Sequence, residues 1–310
     1  MLVFTLRRLV VALPLLVGVS LLVFAILRLI PGDPAQILLF GSNPTPATVA
    51  ALRHQLGLDQ TPVAQYWLYL QRLLRGDLGY SYVTNSSVLS EINTRLPYTI
   101  NLALAALGVA VVLGFVTGVA AGLRPGSLLD RVATMASVLG LAVPYFWLAQ
   151  LLVLVFAVHL RWLPALGLGS PQAIILPALS LGLGFAAIIT RLLRSSLIEV
   201  YQQPYLLVAR AKGLAPTRLL LRHAMRNAIG SVVTVIGLQI GNLFGGAVAI
   251  EIIFGRPGLG QYIVSSIQQK DIPAIQGVVL FVAVVYIAVN LLVDIVHGLL
   301  DPRVRRGWAR

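Results

Sequence analysis

Six stretches of this chain are each long and apolar enough to cross a lipid bilayer, and nothing else constrains its fold as strongly. A bilayer core about 30 Å thick needs about 20 mostly apolar residues in a helix. The stretches run at about 9–30, 97–123, 132–158, 173–193, 230–253 and 275–298 of the 310 residues. The first has no charge from Leu9 to Leu27 and follows Arg7-Arg8. A cleaved signal peptide has an apolar run of only about 7–15 residues, so this one reads as an uncleaved helix. Charged residues are 11% of the chain and hydrophobic residues 58%, with a mean hydropathy of +0.90. Soluble domains carry about 25% charge, which excludes a pair of them here. In lipid every backbone polar group needs an internal partner. The expectation is an all-α polytopic membrane protein with six transmembrane helices.

Charge sets the expected orientation. The N-terminus, 124–131, 191–229 and the tail from 299 hold 15 basic residues against three acidic ones, Asp130, Glu199 and Asp301. The connecting segments on the other side hold eight against six. Basic loops stay inside, so the N- and C-termini are expected to be cytoplasmic. The net charge of +13 then reflects topology, and no nucleic-acid partner is implied. With no cysteine there is no disulfide, thiolate metal site or cysteine nucleophile.

The expected division is 1–30 for the N-terminus and first span, 31–96 for an extracytoplasmic segment, and 97–310 for a five-span core. The outer segment is long enough to be structured. Thr45-Pro46 reads as N-cap and first helical residue with Gly57 as a stop, and Thr61-Pro62 opens a second helix closed by Gly76. In that helix Val63, Tyr66, Trp67, Leu70, Leu73 and Leu74 share one amphipathic face, expected on the membrane surface or against the spans.

Several chemistries are missing. The two lysines, Lys212 and Lys270, do not follow glycine, so there is no phosphate-binding G-x-x-x-x-G-K-[ST] loop. There is no H-E-x-x-H and no G-x-S-x-G. His54, His159, His223 and His297 are far apart and read as loop or interfacial residues. Arg28, Arg191, Glu251 and Asp294 sit near span ends, where long side chains reach the interface. Ion-coupled carriers need charges at mid-membrane. No cofactor or metal is expected in the chain, and it reads as a non-enzyme. The alternative, a stand-alone secondary carrier or channel, is disfavoured by the same gaps.

The spans carry small and amide residues in register. Gly114, Gly118 and Gly122 form one stripe in span two, and Gly237, Gly241 and Gly245 another in span five. Glycine at every fourth position lets backbones approach, as static packing or as a sliding contact. Gln239 and Asn242 share a face of span five, where they line a polar pathway or bond a neighbouring helix. Pro144 in span three and Pro177 in span four are expected to kink or interrupt their helices.

The basic loop at about 191–229 is the most informative segment. Pro204 can start a helix and Gly213 can stop it, with Tyr205, Val208, Ala209 and Lys212 on one face. Pro216 opens a further helix that bears Arg218, Arg222 and Arg226. From spacing alone, the short helix either docks into a partner's groove or lies on anionic lipid.

Leu206-Leu-Val-Ala-Arg-Ala-Lys-Gly-Leu214, followed by Arg222-His-Ala-Met-Arg-Asn-Ala228, resembles the EAA loop of ABC-importer permeases. More narrowly it is similar to the dipeptide/oligopeptide/nickel permease family, in its B-type, or first, permease. The likeness continues through Pro31-Gly-Asp-Pro34, Gly76-Asp-Leu-Gly79, Leu160-Arg-Trp-Leu-Pro-Ala165, Leu176-Pro-Ala-Leu179, Thr190-Arg-Leu-Leu-Arg-Ser-Ser196, Phe254-Gly-Arg-Pro-Gly-Leu-Gly260 and Asp301-Pro-Arg303. Leu207-Val208-Ala209 stands where the general signature has acidic-Ala-Ala, and Pro204 where the branch commonly has Asp. Gly230-Ser231 replaces the usual Ile-Pro, which puts the start of span five in question.

The resemblance implies a multi-pass subunit of a bacterial or archaeal plasma-membrane importer, with peptides as cargo. Its partners would be a second homologous permease in a heterodimer, two P-loop ATPase subunits holding ATP and Mg, and an extracytoplasmic substrate-binding protein. Residues 204–216 would be the coupling helix. Tyr205 and Val208 would fill the ATPase groove, Ala209 and Gly213 would allow close approach, Arg210 and Lys212 would give polar contacts, and Leu214 would close the motif. Gln239 and Asn242 are the candidates for the pathway.

Overall fold

The computed structural model describes residues 2–29, 35–36, 39, 45–55 and 57–300. Pro31-Gly-Asp-Pro34 and Asp301-Pro-Arg303 lie outside the described residues, as does the Asp294 side chain. Among the described residues the regular structure is helical, apart from one isolated bridge between Tyr80 and Ser87. Four helices are long and apolar enough to cross a membrane: Val10–Arg28, Val88–Leu123, Pro171–Tyr201 and Ile272–Val293. Two bent pairs raise the number to as many as six if each pair is one span. The chain is an all-α polytopic membrane protein. It divides into two compact units, residues 1–97 with 261–288 and residues 98–260 with 289–310.

The first unit contains α1 (Leu2–Leu29), α2 (Pro46–Gln55), α3 (Pro62–Leu74), the start of α4 (Val88–Leu123), most of α10 (Leu259–Gln268) and the first half of α11 (Ile272–Leu300). The proline and glycine signals hold. Thr45 Oγ1 accepts from the Thr48 amide (3.2 Å) and Thr61 Oγ1 from the Ala64 amide (3.4 Å). Gly57 and Gly76 end their helices at φ +67° and +76°, conformations that glycine adopts without steric cost. The single amphipathic face expected for α3 is divided. Tyr66 faces α1, with its hydroxyl 2.9 Å from Ser20 Oγ and its ring 5.2 Å from Phe24. Val63, Trp67 and Leu74 are 79%, 61% and 89% exposed. Aromatic and hydroxyl partners on α1 take one edge of the apolar stripe and leave the other edge uncovered. Buried Asp271 ties the 77–87 loop to the start of α11, accepting from Ser81 Oγ (2.5 Å) and the Tyr82 amide (3.3 Å).

Helix α4 begins at Val88, before the apolar run starts at Pro97. Ser87 caps it by accepting from the Ser90 amide (3.2 Å). Its 36 residues make it about 54 Å long, beyond the bilayer core.

The second unit contains the rest of α4, α5 (Leu128–Ala142), α6 (Tyr145–Leu152), α7 (Ile175–Tyr201), α8 (Pro204–Ala211), α9 (Met225–Ile253) and the end of α11. At Pro144 the result is stronger than a kink. Val143 is extended (φ −85°, ψ 122°) and α5 meets the following helix at 106°. Proline drives the residue before it out of the helical region, and the chain leaves that point in a new direction. At Pro177 there is no kink. It lies in the first turn of α7, after the 3-10 turn Pro171–Ile174, where no amide is needed for the helical ladder. The start of span five also resolves. Pro216–Arg218 and a π-helical turn, Leu219–Ala224, run directly into α9, so the helix needs no proline at Gly230-Ser231. That helix bends by 43° near residue 238.

Candidate functional site

Within the second unit, α8 is a short helix held between α7 and α9. Pro204 stands in its first turn, and Gln203 before it is extended (ψ 139°). Its end is a Schellman turn. The Gly213 amide donates to the Arg210 carbonyl (3.0 Å), the Leu214 amide donates to the Ala209 carbonyl (3.4 Å), and Gly213 has φ +76°. An L-residue at Gly213 is strained by this φ, although the space around it is open.

One side of α8 is an anchor. Leu206 is 1% exposed and packs with Leu193, Leu197, Leu219, Ala224 and Ala228. Ala209 is half-buried against the same cluster, so it faces the body of the unit and not the side shared by Tyr205 and Val208. The Asn227 amide donates to the Tyr205 hydroxyl (2.6 Å), and the Arg210 guanidinium lies 5.7 Å from the Tyr201 ring. The other side is open. Tyr205, Leu207 and Val208 are 43%, 55% and 54% exposed, and Arg210 and Lys212 are exposed beside them. Leu207 was not singled out from the sequence. Its signal was present, since an apolar residue off the buried face of a short helix needs another partner.

Arg194 and Asp130 brace the same end of the unit. The guanidinium donates to both carboxylate oxygens, once through Nη2 at 2.9 Å and once through Nε. Asp130 is buried, also accepts from the Gly126 amide (2.8 Å), and follows the N-cap Ser127. In the sequence it registers only as an acid in a basic loop.

The glycines fall into different settings. A Cβ on Gly114 would lie 2.6 Å from the Ile189 Cβ, and one on Gly118 or Gly122 would lie 3.0 Å from the Cβ of Leu193 or Leu197. These three hold α4 and α7 close, and Thr117 and Thr190 share a hydrogen bond across the contact (2.6 Å). Gly237 abuts Val293, and Gly241 is buried. Gly245 has open space at its Cβ position, whereas a Cβ on Gly246 would meet Leu181 at 2.6 Å. Asn242 donates to Gln239 Oε1 (2.6 Å), and Asn242 and Gly245 are exposed on α9.

Glu251 departs from the expectation of a side chain reaching an interface. It is fully buried at the end of α9, accepting from Thr99 Oγ1 (2.6 Å) and the Gly260 amide (2.7 Å). Thr99 Oγ1 in turn accepts from the Leu259 amide (2.9 Å). A Cβ on Gly258 would collide with the carboxylate. Gly258 and Gly260 therefore make room for a buried acid.

Residues 110–306 match the family described as "Binding-protein-dependent transport system inner membrane component", and residues 1–103 match the N-terminal family of such membrane components. The chain belongs to this family. It is 39% identical to the di/tripeptide transport system permease protein DppB of Pseudomonas aeruginosa (strain UCBPP-PA14), across 98% of this chain and 99% of the relative. It is 40% identical to the glutathione transport system permease protein GsiC of Salmonella choleraesuis (strain SC-B67), with the same coverage. It is 41% identical to a putative peptide transport system permease of Brucella abortus (strain 2308), across 97% and 98%. Among solved structures it resembles the MetNI methionine ABC transporter in an inward-facing form, with a TM-score of 0.53 and 18% identity over 72% of this chain and 98% of the other. It also resembles an amino acid ABC transporter, at 0.52 and 16% over 69% and 94%. These two show the fold. The protein is thus a multi-pass transmembrane permease subunit of an ABC importer, of a bacterial or archaeal plasma-membrane family, and is not itself a catalyst. It works as one component of a transport assembly.

Proposed function

We propose that the protein is the first permease of a peptide importer, and that α8 is its coupling helix. The chain would cross the membrane six times with both termini cytoplasmic, each bent pair counting as one span. This places 191–229 in the cytoplasm and 31–96 outside, with 97–310 as the five-span core. One observation carries the reading. A short proline-started helix is fixed to two span helices by Leu206 and the Asn227–Tyr205 hydrogen bond, yet presents Tyr205, Leu207, Val208, Arg210 and Lys212 outward. Such a helix transmits a push from a partner's groove directly into α7 and α9. Arg210 is partly engaged by Tyr201, which leaves Lys212 as the more available cation.

Peptide cargo is supported by the named functions of the relatives, since glutathione is itself a tripeptide. The expected assembly has this chain, a second homologous permease, two P-loop ATPase subunits and an external binding protein. The 31–96 and 254–274 segments would meet the binding protein, and the face of α9 that carries half-buried Gln239 and exposed Asn242 and Gly245 would line the pathway or meet the second permease. The test is a pull-down of the tagged chain in mild detergent, with identification of its companions and an ATPase assay. A second permease with P-loop subunits and ATP hydrolysis is expected. A homo-oligomer without ATPase, under conditions that preserve other membrane complexes, would return the stand-alone carrier.

A further inference from the structure

The first unit contains a cavity of about 640 Å³ that the importer reading does not use. Among the described residues, the guanidinium groups of Arg28, Arg53 and Arg72 line it together with the carboxylate of Asp77. Asp77 is turned to the backbone, where it accepts from the Gly79 amide (2.9 Å). Arg28 is held in place, donating to Gln65 Oε1 with its guanidinium 4.7 Å from the Phe24 ring. An anion that meets it need not pay for ordering a long side chain.

Tyr69 also lines the cavity, and its buried hydroxyl has no hydrogen-bond partner among the described residues. Burial, helped by the neighbouring Tyr66, pushes its pKa up to about 12. It therefore stays a neutral O–H donor. Phe24, Leu27 and Leu68 supply apolar wall. Phe24 and Leu27 are the last turns of the apolar run that ends at Arg28, the depth at which acyl chains give way to headgroups.

We propose that this cavity binds the phosphodiester headgroup of an anionic phospholipid. Guanidinium groups pair with phosphate oxygens in bidentate geometry. A phenol donor and an apolar wall suit the ester region and the upper acyl chain. A free phosphate shares the charge but has nothing to place on Phe24 and Leu27. A zwitterionic lipid brings a cation towards three arginines.

The test uses the full chain, in whatever assembly it purifies with, placed in nanodiscs with equal phosphatidylglycerol and phosphatidylcholine. Lipids retained after mild extraction are counted by native mass spectrometry. Phosphatidylglycerol should be retained in preference. The double variant Arg53→Gln/Arg72→Gln should weaken retention by roughly tenfold, and Tyr69→Phe by several-fold, from lost charge-assisted and neutral hydrogen bonds. Arg75→Gln removes one positive charge just past α3, outside the cavity, and should change nothing. Equal retention of the two lipids, or no effect of the cavity variants, would overturn the proposal. So would an equal loss with Arg75→Gln, which would indicate general surface charge. Displacement by inorganic phosphate would make the site one for the free anion and would equally end the lipid reading.

Discussion

At the scale of single residues, the strongest couplings are between side chains far apart in sequence. Asp130 is buried and relies on Arg194 for compensation. Arg194→Ala should destabilise the protein by about 2–3 kcal/mol, because removing one partner leaves a buried carboxylate uncompensated. Thermal unfolding in detergent measures this. Adding Asp130→Asn should recover part of the loss, since an amide needs no guanidinium. If it recovers none, the two groups are not coupled. A second pair lies on the outer segment, where His54 Nδ1 and Asp59 Oδ2 are 2.6 Å apart. The hydrogen bond to Asp59, and then its charge, raise the His54 pKa above 6.5, and His54 lowers Asp59 below 3.8. A raised histidine contributes fully below its unfolded pKa, and the contribution is lost as pH rises through the raised value. A lowered carboxylate contributes above its unfolded pKa and loses it as pH falls through the lowered value. The pair is thus intact between those limits and opens on the alkaline side above 6.5. An NMR titration should find His54 displaced upward, and Asp59→Asn should return it to about 6.5. Both residues are exposed, so the effect is confined to the turn at Gly57.

At the scale of elements, local signals performed well where the cause is local. Pro204 and Gly213, Thr45-Pro46 and Gly57, and Thr61-Pro62 and Gly76 all bound helices as expected, because caps and turns depend on a few neighbouring backbone groups. Gly213 offers an element-scale prediction. Gly213→Ala adds only the strain of a left-handed L-residue, roughly 1–2 kcal/mol, and should still support uptake. Gly213→Trp should insert normally but abolish uptake and stimulated ATP hydrolysis, because the bulk stands where a partner would approach. Transport and ATPase assays in proteoliposomes separate the two variants. Normal transport by Gly213→Trp would end the coupling assignment. Proline is less readable away from helix ends. Pro144 reverses direction by 106° while Pro177 produces no bend. Pro144 stands between two helices, where the extended Val143 before it turns the chain, whereas Pro177 falls inside a first turn, and that depends on where each helix begins.

At the scale of the whole molecule, the apolar runs and the ordered motifs were sufficient for the membrane class and the family. The pathway was not readable. Asn242, exposed on α9, donates to the oxygen of half-buried Gln239, a hydrogen bond made without a neighbouring helix. Asn242→Leu should therefore leave stability nearly unchanged and lower uptake several-fold, as measured with labelled peptide in proteoliposomes of the full assembly. Normal uptake would make the pair a packing feature. Chain-local physics was legible from the residues alone: which segments prefer lipid, where helices start and stop, and the motif order that marks the family. Tertiary structure alone decided which face of each helix meets a neighbour. Ala209 turned inward, Gly246 rather than Gly245 met Leu181, and the α3 stripe was divided by partners on α1. It also decided that Glu251 is buried under a glycine loop and not extended to water. Period and spacing place residues on a common face. Which side of that face is covered depends on helices brought close by segments distant in the chain, and on the glycines that permit the approach.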